Sequence, residues 1–175
     1  GVPWDQLKSV RVRAGLRQFG DDGLAGGAAP GDSAGAADLG IPLFRSVLQE
    51  FPDTRFNVDL KTETPALADA VAEILTAESA HSRVTVASFH APVLEYFRQA
   101  APNAITSAHR EEAVQLVQSL FPFHRQQYDR LTRSPAVAFQ LPFRHQGFRL
   151  MRRALVNRVH EIGKEVHVWT VNDAR

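Results

Sequence analysis

At 175 residues the chain is long enough for one well-buried domain and too short for two ordinary ones joined by a linker. Apolar residues make up 44% and charged residues 22%, ordinary globular usage that excludes a fibrous repeat or a disordered tail. Twenty Lys plus Arg against nineteen Asp plus Glu leave a formal charge of +1, so no broad field draws in nucleic acid or an acidic membrane, and with no Cys there is no disulfide, thiolate nucleophile or thiolate-held metal.

The chain opens Gly1-Val2-Pro3-Trp4, without an initiator Met or a charged-then-apolar leader, which suggests a missing N-terminus. Residues 20–40 hold seven of the eleven glycines and several alanine pairs, and are expected to form a flexible Gly/Ala-rich surface loop. Pro42 suits a first helical turn, and Leu43, Phe44, Val47, Leu48 and Phe51 then recur at helical spacing, predicting a helix over about 42–51. Phe56, Val58 and Leu60 alternate with Asn57, Asp59 and Lys61, a strand with one apolar and one polar face. Pro65 opens a helix striped by Leu67, Val71, Ile74 and Leu75, and 83–89 reads as the next strand. Val93, Leu94 and Phe97 belong to a helix, 104–107 to a short strand, and Ala113, Val114, Val117, Leu120 and Phe121 to another helix. Residues 136–141 are again extended. Leu150, Met151, Ala154, Leu155, Val159 and Ile162 stripe a last helix that Gly163 is placed to end, and 166–171 is a final strand.

Five strands alternating with five helices predict right-handed crossovers and a parallel sheet, either doubly wound or closed into a barrel. A sheet sandwiched between helix layers favours continuously apolar strands, whereas Asn57-Val58-Asp59-Leu60-Lys61 needs a face that accepts charge, which a barrel mouth offers. A complete eight-unit barrel takes about 250 residues. The expected fold is therefore α/β, one incomplete domain over 1–175: a partial TIM-type (β/α)8 barrel lacking its N-terminal strands and its final segment.

Asp59 and Lys61 are two apart on one strand and project to the same side, where a carboxylate can hold a hard divalent cation and an ammonium can neutralise phosphoryl oxygens. The plain alternative is a solvated ion pair. Gln140 sits on an otherwise apolar strand, where its amide needs a ligand or a backbone group as partner. His90, after Ser88-Phe89 at a strand's end, either touches substrate or serves the helix entry before Pro92. The remaining histidines have no assigned role.

With these residues in order, Ile41-Pro42-Leu43, Phe51-Pro52-Asp53, Phe56 to Lys61, Ala87-Ser88-Phe89, Gln140-Leu141-Pro142 and Val168-Trp169-Thr170-Val171-Asn172, the chain resembles the glycerophosphodiester phosphodiesterases over nearly its whole length, and its Ala/Arg-rich style is similar to an actinobacterial branch. The resemblance implies a barrel enzyme that hydrolyses small-molecule glycerophosphodiesters to sn-glycerol 3-phosphate and an alcohol with a divalent metal, Mg2+ or Ca2+. It further implies Asp59 as a metal ligand where the family more often has Glu, Lys61 as the lysine facing the phosphate, and Trp169 as an aromatic against the substrate; Gln140 and His90 are expected as further substrate contacts on their own positions. No His-Arg-Gly opening, Glu-x-Asp pair or second His before Asp occurs here, so no catalytic histidine is assigned, and the 175 residues alone are expected to be inactive. The alternatives are a non-catalytic barrel that binds a phosphate ligand and a related phospholipase-type phosphodiesterase. No nucleic-acid partner and no stable membrane insertion are expected, and a cytoplasmic location is favoured.

Overall fold

The computed structural model describes residues 41–121, 123, 125–145 and 147–171; the glycine-rich stretch 20–40 lies outside them. The chain divides between Glu50 and Phe51 into two units. Of the first, the described residues contain helix α1 (Phe44–Glu50), which begins two residues after Pro42.

The second unit alternates strand and helix: β1 (Phe56–Asp59), α2 (Pro65–Ala77), β2 (Val84–Ala87), α3 (Ala91–Ala100), β3 (Ile105–Thr106), α4 (Arg110–Gln118), α5 (Arg125–Arg133), β4 (Ala138–Pro142), the short pair β5 (Arg144–His145) and β6 (Phe148–Arg149), α6 (Arg153–Glu161) and β7 (Glu165–Trp169). With α1 this makes six helices with parallel sheets in a mixed α/β chain, one helix in excess of the five predicted for the segment described, counting α1. The unforeseen one is α5. Its sequence, RQQYDRLTR, buries one large apolar side chain, Leu131, so it shows no stripe.

Local chemistry accounts for the predicted elements. In α2, Pro65 occupies the first turn, where a missing N–H costs nothing, and Ala68, Val71, Ala72 and Leu75 fall at i, i+3, i+4 and i+7 and are all buried. Helix α4 starts on a capping box: the His109 ring accepts from the Glu112 N–H, and the Glu112 carboxylate accepts from the His109 N–H. Helix α6 ends as expected at Gly163, whose φ of +70° lets Gly163 N–H reach His160 O at 2.9 Å and Lys164 N–H reach Val159 O at 3.1 Å.

Strands β1, β2 and β3 are parallel in that order, as are β4 and β7. A parallel bridge between Ser107 and Ala138, with Ala108 N–H on Ala138 O and Val137 N–H on Thr106 O, links β3 to β4. The ladder thus runs β1-β2-β3-β4-β7. Val84, Val86, Phe139 and Leu141 turn to the helices, where Phe139 and Leu141 pack with Leu116, Leu131, Leu155 and Val159. Asn57, Asp59, Gln140, His167 and Trp169 alternate onto the other face.

That polar face is concave. Three strand spacings separate β1 from β4, about 14 Å in a flat sheet, yet the Asn57 and Gln140 side chains exchange two hydrogen bonds, of 2.7 and 3.3 Å. Two amide side chains close that gap only where the ladder curls and both point inward.

On the helical side, a buried ionic cluster fastens α3, α4 and the approaches to β4 and β7. Arg98 and Glu112, each 9% exposed, pair at 3.1 Å. Arg98 also reaches Glu95, Thr106 Oγ1 and Ser107 O, Ser134 Oγ donates to Glu112, and Lys164 Nζ donates to the carbonyls of Ser134 and Ala136. Burial pushes the Glu112 carboxyl up, but the hydrogen bonds from Ser134 and Arg98, the Arg98 charge and the His109 N–H together outweigh it and hold it below its ordinary 4.5. A carboxylate with a depressed folded pKa stabilises the fold at pH above 4.5, and that contribution is lost as pH falls through the lowered folded value. Urea titrations across pH 3–7 check this. Glu112→Ala is expected to cost about 2–3 kcal/mol at pH 7, because it leaves the buried Arg98 guanidinium only the half-exposed Glu95 as carboxylate partner, and to flatten the acid limb of the stability curve.

Candidate active site

The C-terminal ends of the parallel strands bring several polar and aromatic side chains together. Strand β1 ends at Asp59, not at Lys61 as the alternation predicts, although Leu60 N–H still bonds Ala87 O at 2.8 Å and extends the ladder by one rung. Lys61 therefore stands just past the strand on the same side as Asp59, and its Nζ lies 2.5 Å from Asp59 Oδ2. The ammonium is 70% exposed and the carboxylate 28%. The other carboxylate oxygen, Oδ1, is buried and has no hydrogen-bond partner. One oxygen is thus neutralised, and one is an unused acceptor facing away from bulk water.

Lys61 also sits over an aromatic corner. Its Nζ is 5.3 Å from the centroid of the Phe89 ring, and Phe89 meets Trp169 edge to face at 6.0 Å and 87°. Phe89 follows β2 and Trp169 ends β7, so this contact spans β3 and β4 and is a second sign of the curl. Both rings remain partly open, Phe89 at 54% and Trp169 at 39%. An open ring edge beside an ammonium offers a surface for the apolar part of a ligand whose anionic part meets the lysine.

Gln140 and His90 find partners that the sequence does not announce. Gln140 pairs with the side-chain amide of Asn57 rather than with a backbone group. His90 is the N-cap residue of α3, but its ring makes no capping bond. Ring Nδ1 lies 2.9 Å from Glu63 Oε1, while His90 N–H donates to Ser88 Oγ, which in turn donates to Leu60 O at 2.8 Å. These contacts tie the loop after β1 to the loop after β2. The structure therefore joins Asp59, Lys61, Phe89 and Trp169 in one contact chain, and places Gln140 with Asn57 and His90 with Glu63 as separate pairs. Asn57, Glu63 and Phe89 were given no role by sequence reasoning, although Asn57 shares the i, i+2, i+4 face with Asp59 and Lys61, and Phe89 lies in a quoted motif.

Among the described residues no three His, Cys, Asp or Glu side chains cluster as a metal-binding group. A cavity of about 350 Å³ between α4 and α5, edged by Arg110, Val114, Gln127 and Arg130, contains none of the site residues and lies on the helical side of the ladder.

A family model described as the glycerophosphoryl diester phosphodiesterase family matches residues 1–175. The chain is also similar to a protein of Mycobacterium tuberculosis named probable glycerophosphodiester phosphodiesterase 2, at 25% identity over 137 residues, which is 78% of this chain and 51% of that protein. The chain thus spans about half the length of the curated relative it matches.

If the Asn57–Gln140 amide pair holds the curl, Asn57→Ala and Gln140→Ala are each expected to destabilise, and the double variant to lose less than their sum. A coupling of about 0.5–1 kcal/mol from a urea-unfolding double-mutant cycle is the expected result, and strictly additive losses would show that the pair holds nothing.

Proposed function

The chain belongs to the glycerophosphoryl diester phosphodiesterase family, and on that premise we propose that the protein carrying it hydrolyses glycerophosphodiesters to sn-glycerol 3-phosphate and an alcohol, with Mg2+ or Ca2+ as cofactor. The observation that carries this reading is the Asp59–Lys61 pair at the strand ends, backed by the Phe89–Trp169 corner. The curled ladder is read as a sector of a TIM-type (β/α)8 barrel, a fold whose catalytic groups gather at the C-terminal ends of the strands.

The donor chemistry at Asp59 suits the metal. Its buried, unpartnered Oδ1 is a hard anionic oxygen of the kind that Mg2+ and Ca2+ take, and it would supply one ligand, with the rest of the set drawn from outside the described residues. When bound, such a cation supplies Lewis-acid polarisation of the phosphoryl group. The side chains of this chain do the positioning. Lys61, held toward Asp59 and over Phe89, would oppose the charge that grows on the non-bridging phosphoryl oxygens as the substrate's own glycerol hydroxyl attacks phosphorus, closing a cyclic phosphodiester while its proton leaves with the expelled alcohol, and again as water opens that ring to sn-glycerol 3-phosphate. Trp169 and Phe89 pack against the apolar part of the substrate and keep water from that side. Gln140, fixed by Asn57, and His90, fixed by Glu63, offer polar contacts to the hydroxyls.

Asp in place of the family's more usual Glu withdraws the carboxylate by one methylene. Through Oδ2 it is spent on Lys61 at 2.5 Å, so the same residue both positions the ammonium and leaves an oxygen for the cation.

Removing one preorganised contact to a developing oxyanion costs about 3–4 kcal/mol of transition-state stabilisation. Lys61→Ala is therefore expected to lower kcat/KM for glycerophosphodiesters about a hundredfold or more with an unchanged melting temperature, since the side chain is largely exposed. Unaltered turnover would remove Lys61 from the site. Chelation is expected to abolish hydrolysis and added Mg2+ or Ca2+ to restore it, with Asp59→Ala shifting the cation requirement to higher concentration; turnover indifferent to chelator would end the metal reading.

A further inference from the structure

Between Asp129 and Glu161 the sequence has no Asp or Glu but seven arginines, and the part of this span that leaves the core is the β5–β6 hairpin with the turn into α6. The hairpin follows β4 directly and so rises from the strand ends that carry Trp169. Phe143 N–H donates to Trp169 O at 3.0 Å, Leu150 N–H donates to Phe143 O at 3.1 Å, and the Arg149 guanidinium lies 5.0 Å from the centroid of the Phe143 ring. Contacts therefore run without a break from Lys61 through Phe89, Trp169 and Phe143 to Arg149.

Two features of this lip are unexplained by folding. Arg144 and Arg149 are directly opposite partners in the antiparallel ladder, an arrangement in which like charges repel. Among the described residues no carboxylate pairs with either of them, or with the exposed Arg152 and Arg153. Phe148, opposite His145, is 71% exposed beside Gly147, whose φ of +83° makes the turn. Two arginines opposed on neighbouring strands, one stacked on Phe143 and neither answered by a carboxylate among the described residues, can share phosphate oxygens, and a single bare aromatic ring beside them is suited to entering a headgroup layer.

We propose that this hairpin docks the protein peripherally on an anionic lipid surface, with Arg144 and Arg149 sharing lipid phosphates and Phe148 entering the headgroup region. The chemistry favours lipid over an acidic protein partner. A stable protein interface needs about 800 Å² of shaped surface on each side, whereas two-residue strands with one exposed ring offer little flat area and suit a deformable layer. The net charge of +1 does not oppose this, because screening within about 10 Å makes the local cluster of arginines the relevant charge. No described helix is long and apolar enough to cross a membrane, and the contact proposed is with the lipid surface. Attachment at the rim would present lipid-derived diesters to the strand ends.

Vesicle binding requires no turnover, so its outcome is separable from the hydrolase reading. The protein carrying this chain is sedimented at low salt with vesicles of phosphatidylcholine alone or mixed with phosphatidylglycerol. Binding to the mixed vesicles, weakening with added salt, is expected. Arg144→Gln with Arg149→Gln is expected to lower the partition coefficient roughly fivefold for each arginine, and Phe148→Ser to lower it further, all with unchanged circular dichroism. Equal binding to both kinds of vesicle, or unchanged binding of the double variant, overturns the proposal. So does displacement from vesicles by inorganic phosphate at matched ionic strength, which would mark a small-anion site, or equal retention on polyglutamate beads, which would mark an acidic protein partner.

Discussion

The side chains of Asn57 and Gln140, 83 residues apart in sequence, exchange two hydrogen bonds across the space that three strand spacings would otherwise open, and the geometry of the site follows from that constraint. A flat ladder would leave Asp59 and Trp169 on remote strands with open solvent between them. The curl turns the polar face of β1 and the inward residues of β4 and β7 toward one another, so that a ring after β2 can touch a ring at the end of β7. Apolar packing alone does not explain this, since Val84, Val86, Phe139 and Leu141 would bury equally well on the helical face of a flatter sheet. On the polar side the Asn57–Gln140 amide pair, still open to solvent, bridges the bent ladder.

Much of this was legible in the sequence because it depends on short-range periodicity. The alternation of Phe56, Val58 and Leu60 with Asn57, Asp59 and Lys61 located β1 and put the acid and the amine on one side, and the stripe Leu67, Val71, Ile74 and Leu75 located α2, although the face it buries is Ala68, Val71, Ala72 and Leu75. Features without such a signature stayed hidden. Helix α5 has one buried Leu, so no stripe marks it, and the hairpin strands β5 and β6 are two residues each and polar. The partners of Gln140 and His90 depend on tertiary proximity: an amide on an apolar strand signals that some partner exists, but nothing local identifies Asn57, and the ring of His90 turned to Glu63 in the preceding loop and left the N-cap position of its own helix unserved. Phe89 stood in plain view within a motif, yet its use as a platform beneath Lys61 required the distance.

The cluster around Glu112 and the pair at Asp59 lie on opposite sides of the ladder and obey different rules. Around Glu112 every polar group is spent: Arg98, Ser134 and the His109 N–H saturate the carboxylate, which is why its pKa is depressed in spite of burial. At Asp59 the account is left open, with one oxygen on Lys61 and the other buried without a partner. A closed cluster holds elements together, and an open one keeps binding capacity in reserve.

Asp59 pairs with a lysine that is itself largely exposed. A mobile ammonium at 70% exposure gains little from a surface ion pair, about 0–1 kcal/mol, so stability is a weak reason for Asp59 to hold it. Positioning is a stronger one. Asp59 and Phe89 flank the amine at the open end of the ladder, where, on the proposed reading, a preorganised charge would meet a phosphoryl oxygen without reorganisation. On the same reading, the desolvation that penalises an unpaired Asp59 Oδ1 would strengthen its grip on a hard cation.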